Sequence, residues 1–377
     1  MASILIKTFG CTANQDNEAI MAGLLLESGH SLVKDDVDAD IIVVNSCVVK
    51  SATENRIFQL LKDLKDKKII ITGCMPGAQP NRLKKIAPNA SLLSTQHTTD
   101  IVYAVEKMLK GEIITLNSKR KENKAFVSKL RPKEIATIQI GEGCADICYF
   151  CQTKLAKGHI FSFPVEDIKK EVEHVVKNGY KIIYLTSQDN GAYGLDKNKI
   201  SQLANLLKEL IKFEGKYEIR VGMTNPRHII PIIDDLVKVY KNDKIKKFLH
   251  IPVQSGSNKV LKEMNRKHSV DDFLVLVDKF RKEFEDFNIA TDIIVGYPTE
   301  NEEDFDDTIE LIKKIKPEVI NISKFTPRPL TKASKMKQLK SEIIKDRSKK
   351  LADVYEKIKK ELKTFQSKES LIQISVD

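Results

Sequence analysis

Apolar positions along this chain fall into two alternating rhythms. Near the N-terminus, three short β-branched runs (SILIKT, IIVVNS and KKIIITG) are separated by segments of helical spacing at 17–27 and 53–65. Runs of that length without an alternating polar face suit strands buried in a parallel sheet. The βαβα order predicts a small parallel, Rossmann-like sheet with covering helices. Residues 110–133 lose the periodicity and read as an interdomain linker. From residue 135 the alternation returns in ATIQI, KIIYLT, EIRVGM, KFLHIPV, NIATDIIVG and EVINISKF, with amphipathic segments at 164–178, 198–213, 228–241, 269–284 and 302–316 between or after them. This α/β pattern of six βα-type units predicts a partial (β/α)6 barrel, with function at the carboxyl ends of its strands. A long helix is expected over about 338–366, and SLIQISV could begin a strand. The expected units are therefore 1–110, a linker at 111–133, a barrel at 134–335 and a basic tail at 336–377.

Composition narrows the class. The chain has 377 residues, 41% hydrophobic and 31% charged, with no low-complexity tract and no apolar run long enough to span a membrane. The opening MASILIKTFGC has none of the regions of a signal peptide. These features predict a cytoplasmic protein, in which cysteines are metal-binding or catalytic more often than disulfide-bonded. The net charge of +11 points to a polyanionic partner, nucleic acid before membrane surface. Residues 110–133 carry eight Lys/Arg against two acids, and 331–377 carry thirteen against seven. A lysine-rich solvated face would give the same charge.

The six cysteines change the picture most. Cys11, Cys47 and Cys74 each end one of the three N-terminal strands, so a parallel sheet would bring them together at one edge. Single buried cysteines are common in cores, but all three strands ending this way favours a site. Asn14, Asn45 and Gly73 fit tight turns at its rim. The first barrel strand runs into GEGCADICYFCQTKLAKG, where Cys144, Cys148 and Cys151 form C-x3-C-x2-C on a loop. Such thiolates suit zinc or an iron–sulfur cluster. Structural zinc takes four ligands, no fourth cysteine is near, and His159 stands eight residues on. Three thiolates on a four-iron cluster leave one iron open.

C-x3-C-x2-C at the head of a partial barrel resembles the radical S-adenosylmethionine (SAM) superfamily. The resemblance implies that Cys144, Cys148 and Cys151 hold a [4Fe–4S] cluster whose open iron chelates SAM and cleaves it to a 5′-deoxyadenosyl radical. The chain is further similar to the methylthiotransferases. Their N-terminal triad resembles Cys11, Cys47 and Cys74 in TFGCTANQDNEA, VVNSCVVKSATENR and ITGCMPGAQP. The barrel segments LTSQDNGAYGLD, RVGMTNPRHI, LHIPVQSGSNKVLKEMNRKHS, TDIIVGYPTENEEDF and FTPRPLTKAS carry the likeness to about residue 335. TKLAKGHIFSFP, SQDNGAYG and GMTNP look most like the archaeal and eukaryotic members, which add a methylthio group at C2 of N6-threonylcarbamoyladenosine beside the tRNA anticodon. By that resemblance the N-terminal triad holds a second [4Fe–4S] cluster carrying the sulfur to be inserted. The implied partners are a tRNA anticodon stem-loop and proteins supplying sulfur and electrons.

Other candidates follow from strand ends and from the resemblance. Thr186, Ser187, Gln188 and Asp189 either contact the SAM amino group or cap a loop. Phe150 lies near adenine or belongs to the core. His250, Gln254 and Ser255 line the SAM pocket, whereas Asp292 is read as structural. Arg328 meets substrate phosphate or sits on the surface. His30, His97, His174 and His228 are read as satisfied or solvent-exposed. Two minor departures are Tyr149, where the family favours a small residue, and Lys157, where arginine is usual. A third is that Ser367–Asp377 offer one strand where relatives carry a small RNA-holding TRAM barrel. Either the chain is truncated or it binds tRNA without that module, with the linker and the last helix supplying phosphate contacts instead. The alternatives are a methylthiotransferase acting on isopentenyladenosine tRNA or a ribosomal protein aspartate, and a non-catalytic iron–sulfur or zinc protein that binds RNA.

Overall fold

The structure, a computed structural model, describes residues 1–132 and 134–365. The expected strand in SLIQISV lies outside them. Residues 3–116 form one six-stranded parallel sheet from β1 (Ser3–Thr8), β2 (Ser31–Leu32), β3 (Ile41–Ser46), β4 (Ile69–Gly73), β5 (Ser91–Leu93) and β6 (Thr115–Leu116). Their spatial order is β2-β1-β3-β4-β5-β6. Helices cover both faces of the sheet, so every residue of β3 and β4 is buried. That double burial explains why these strands read as unbroken apolar runs. The helix expected over 17–27 begins earlier, at Thr12, because Cys11 accepts backbone bonds from Asn14 and Gln15.

The second half opens on β7 (Ile135–Gln139) and a short antiparallel hairpin, β8 (Gly141–Glu142) with β9 (Phe161–Ser162). It continues through β10 (Ile182–Thr186), β11 (Glu218–Val221), β12 (Phe248–His250), β13 (Asn288–Val295) and β14 (Val319–Lys324). These form two three-stranded parallel sheets, β7-β10-β11 and β12-β13-β14. The amide of Thr224 donates to the His250 carbonyl at 2.9 Å and links β12 to the loop after β11. One apolar core runs beneath both sheets, from Ala136 and Ile138 to Phe280, Phe305 and Leu351. Ser269 and Asn301 close capping boxes on the helices Val270–Glu283 and Glu302–Ile315. The helix expected over 338–366 spans Ser341–Phe365. It is tied down by Arg347 on Glu300 and by Tyr355 on the Glu318 carbonyl. Among the described residues no helix is long and apolar enough to cross a membrane.

The basic stretch after β6 is a packed strap, contrary to its expected role as a phosphate-binding linker. The Lys124 side chain is fully buried and bonds Glu142 at 3.0 Å and Asn17 at 3.3 Å. Lys129 pairs with Asp16 and Glu171, Arg131 with Glu171, and Arg120 with Asp100 and Glu122. At Gly23 an added Cβ would lie 2.8 Å from the strap backbone at Ser128, so the helix Thr12–Glu27 admits the strap only without a side chain there. Glu122 apart, the acidic partners Asp16, Asp100, Glu142 and Glu171 lie outside the run, so the sequence shows the charge without its pairing.

Candidate active site

Strands β1, β3 and β4 are neighbours in parallel register, with Thr8 opposite Asn45 and Ser46 opposite Gly73. Their ends therefore carry Cys11, Cys47 and Cys74 to the same edge. The turn after β1 needs Gly10 at φ +109°, where a Cβ would meet the Cys47 Cβ at 2.7 Å and its Sγ at 2.8 Å. Asn14 Nδ2 donates to the carbonyls of Phe9 (2.7 Å) and Ser46 (3.0 Å), and Asn45 Nδ2 donates to the Asn14 carbonyl at 2.8 Å. These asparagines tie the first two turns together, and Ser46 Oγ, accepting from the Met75 amide at 3.1 Å, ties in the third. Burial pushes the Cys47 thiol up to about 11, with Cys11 adding to the shift. Burial raises Cys74 as well, and the neighbouring Cys47 and Cys11 reinforce it against the pull of Lys157.

The second triad lies on the loop between β8 and the helix Thr153–Lys157. Surrounding elements pin the loop: Gln188 Oε1 accepts from the Gly143 amide at 2.7 Å, Asn265 Nδ2 donates to the Ile147 carbonyl at 2.6 Å, and the Tyr149 amide donates to the Met264 carbonyl at 3.0 Å. Burial lifts the Cys144 and Cys148 thiols, Cys148 to about 11 against the pull of Arg266, which stands 3.7 Å from its sulfur. Each triad offers three free thiols, a donor set that fits a four-iron cluster with one open iron and falls one short of the four ligands of a structural zinc.

The two triads face a common interface. The helix Cys74–Ala78 packs on Thr153–Lys157 so closely that a Cβ on Gly77 would lie 2.6 Å from the Ala156 carbonyl. Thr12 Oγ1 and Thr186 Oγ1 share a hydrogen bond of 2.8 Å, and Gln139 Nε2 donates to Asp16 and Asn17 at 2.9 Å. Two cations stand between the triads. Lys157 pairs with Glu142 and acts on Cys74 and Cys11, whereas Arg328 pairs with Glu54 and acts on Cys47 and Cys151. Arg328 is neither a surface residue nor a phosphate ligand here, because Glu54 and the Val49 carbonyl take up its guanidinium.

Around the barrel triad the expected pocket residues divide. Gln188 is spent on the cysteine loop, Ser187 Oγ accepts from the Asp189 amide at 3.2 Å, and Thr186 faces Thr12. His250 Nε2 bonds Asp292 at 2.9 Å, which orients the imidazole at the strand end. Gln254 adopts φ +78° and is buried with its Oε1 unpartnered, as is Asn190 Oδ1. Buried acceptors left open in this way suit a polar ligand. Ser255 turns away to Thr308, and Phe150 packs against Val260, Met264, Tyr297 and Phe325. Asp292, within β13 rather than at its start, is held below the usual carboxylate range: burial opposes its charge, but His250 and Asn321 outweigh it.

His97 is satisfied by Asp100 and Ser118, as the sequence suggests. His228, expected to be unremarkable, is buried with Nδ1 2.8 Å from Asp189 and Nε2 3.6 Å from Asp146. Three ligand atoms of this group lie mutually within 4.8 Å beside the barrel triad. Arg266 was also missed. Its one signal was its place in KEMNRKHS, where Glu263 three residues earlier made an ordinary local ion pair the simpler reading.

The comparisons agree with this geometry. Residues 138–312 match the Radical SAM superfamily, and residues 3–94 match Uncharacterized protein family UPF0004. In fold the chain is similar to the radical SAM methyltransferase TsrM from Kitasatospora setae, with TM-score 0.65 and 11% identity over 89% of this chain and 75% of that one. It is also similar to the radical SAM enzyme OxsB, with TM-score 0.61 and 13% identity over 96% and 56%. A parallel barrel with a three-cysteine loop at its mouth, together with the family match, makes this a radical SAM enzyme. The probable threonylcarbamoyladenosine tRNA methylthiotransferase of Pyrococcus horikoshii is 41% identical over 92% of this chain and 82% of its own length. That of Archaeoglobus fulgidus is also 41% identical, over 94% and 84%, and the human threonylcarbamoyladenosine tRNA methylthiotransferase is 35% identical over 93% and 62%. The chain belongs to the threonylcarbamoyladenosine tRNA methylthiotransferase family, whose members use SAM and two [4Fe–4S] clusters.

Proposed function

We propose that the chain attaches a methylthio group at C2 of N6-threonylcarbamoyladenosine beside the tRNA anticodon, with Cys144, Cys148 and Cys151 holding the SAM-cleaving cluster and Cys11, Cys47 and Cys74 the sulfur-carrying one. The observation that carries this reading is that both triads border one interface, joined by the packing of Gly77 on Ala156. Sulfur and radical must meet at a single carbon, so two clusters each with one open iron make sense only when they open on a shared space. When bound, the clusters and SAM supply radical formation and the sulfur itself.

The chain's own residues bind, orient and exclude. Gln188 and Asn265 fix the cysteine loop, while Gln254, Asn190 and His250 offer polar atoms to SAM. Arg328 and Lys157, both buried, supply positive charge beside the cysteines. The units 1–110, 111–133 and 134–335 act as sulfur carrier, strap and radical barrel, and exposed lysines of the helix Ser341–Phe365 such as Lys345 and Lys349 meet RNA phosphates. Proteins that donate sulfur and electrons complete the cycle, in the cytoplasm where tRNA is modified.

Mass spectrometry of tRNA nucleosides from a deletion strain tests the substrate. The expected result is loss of the methylthio form with threonylcarbamoyladenosine itself retained. Unchanged methylthiolation there, or loss from isopentenyladenosine instead, refutes the assignment. In the purified protein, Cys144→Ala should abolish SAM cleavage, and Cys11→Ala should keep it while losing product.

A further inference from the structure

Lys157 is the most deeply placed cation of the shared interface. It ends the helix Thr153–Lys157, six residues after the last cysteine of the barrel triad, yet its charge acts on Cys74, Cys11 and Cys47 of the other triad. Its side chain is 3% exposed, and its one hydrogen bond among the described residues runs to Glu142 Oε1 at 3.1 Å. An ammonium has three donors, so two N–H groups have no protein acceptor. Glu142 is shared: the same carboxylate also holds the buried Lys124 at 3.0 Å, whose second partner, Glu122 at 3.4 Å, is itself taken up by Arg120. Burial opposes ionisation of Glu142, and the two lysines outweigh it. A buried cation that is underpaired and short of acceptors is costly unless something anionic completes its shell.

We propose that Lys157 is a positioning residue for the sulfur-carrying half of the enzyme: its ammonium holds an anionic sulfur ligand, hydrosulfide or a methylated thiolate, at the triad Cys11, Cys47 and Cys74. This rests on the reading that those cysteines hold a cluster. Three thiolates and a sulfur anion bring surplus negative charge into a dry site, and a compact point charge with free donors offsets it. The placement also means that the loop binding SAM supplies the charge that retains the sulfur. The two halves are thereby coupled through one side chain.

The test uses the full chain with Cys144, Cys148 and Cys151 replaced by alanine, reconstituted anaerobically so that only the N-terminal triad can bind iron. In this parent, and in versions carrying Lys157→Arg or the charge-balanced pair Lys157→Met with Glu142→Gln, two quantities are read. They are the midpoint potential by EPR-monitored titration and the affinity for sodium hydrosulfide. The expected result for the Met/Gln pair is a lower potential and hydrosulfide binding about tenfold weaker, the scale of one charge interaction in a partly screened interior. Lys157→Arg should restore both. A folded Met/Gln protein that takes up no iron while Lys157→Arg does also supports the role. A folded Met/Gln protein with about four irons, an unmoved potential and unchanged hydrosulfide affinity overturns it. A parent that binds no iron refutes the cluster reading instead.

Discussion

Arg328, in the loop after the last barrel strand, donates to Glu54 of the N-terminal sheet unit at 2.8 Å, and both side chains are buried. The same guanidinium reaches the Val49 carbonyl, two residues beyond Cys47. One ion pair therefore fastens the two halves beside a cysteine of each triad.

Removing Arg328 leaves the buried Glu54 with only the bond from Gln79 and the longer contact to the half-exposed Arg82. Arg328→Met is expected to destabilise the protein by about 3–5 kcal/mol, and the Arg328→Met/Glu54→Gln double variant by clearly less. Thermal unfolding checks both. Equal losses in single and double variants would mean that the pair is not what fastens the interface.

Gly77 and Ala156 give a second handle. Gly77→Ala should force the helices Cys74–Ala78 and Thr153–Lys157 apart at a cost of about 1–3 kcal/mol. Each triad keeps its local turns, so 5′-deoxyadenosine formation should continue while methylthio product falls several-fold. Product and SAM cleavage falling in parallel would contradict the coupling.

Leu330 sits at φ +64° and is 75% exposed. A branched residue in the left-handed region is strained by about 1–2 kcal/mol. Leu330→Gly relieves the strain and gives back part of it in chain entropy. A net gain of about 0.5–1 kcal/mol in chemical denaturation is expected, and a loss would show that the side chain is held by packing.

His268 governs an acid limb. Burial, reinforced by Arg266, lowers its pKa to about 4, against an ordinary 6.5. Between those values the unfolded chain binds the proton and the folded chain does not. Stability therefore falls as pH drops from about 6.5 to 4, by at most about 2–3 kcal/mol. His268→Gln should flatten that limb in unfolding curves taken across the window.

What could be read from sequence follows from range. The turns at Cys11, Cys47 and Cys74 were legible because strand ends announce themselves locally, and the loop Cys144–Cys151 because its ligands are seven residues apart. Lys124, Lys129 and Arg131 were misread as solvated because Glu142, Asp16 and Glu171 lie up to 113 positions away. His228 is legible in the sequence as a satisfied or exposed histidine but without its partners, because Asp146 and Asp189 lie 82 and 39 positions away. Ser255 stands on an expected strand end, but its rotamer was decided by Thr308 on a later helix. Periodicity fixes which face is buried and says nothing of which distant charge arrives there.

The Glu54–Arg328 clasp spans 274 residues of chain. On a ribosome adding about 5–20 residues per second, the N-terminal sheet, complete at residue 116, emerges roughly 10–40 s before its fastener exists. For the first few seconds of that wait, until Ala156 and Lys157 are made, the edge carrying Cys11, Cys47 and Cys74 also lacks the wall they contribute. The edge of the first triad is thus an open cup on the nascent chain, closed and locked only when the last barrel loop arrives.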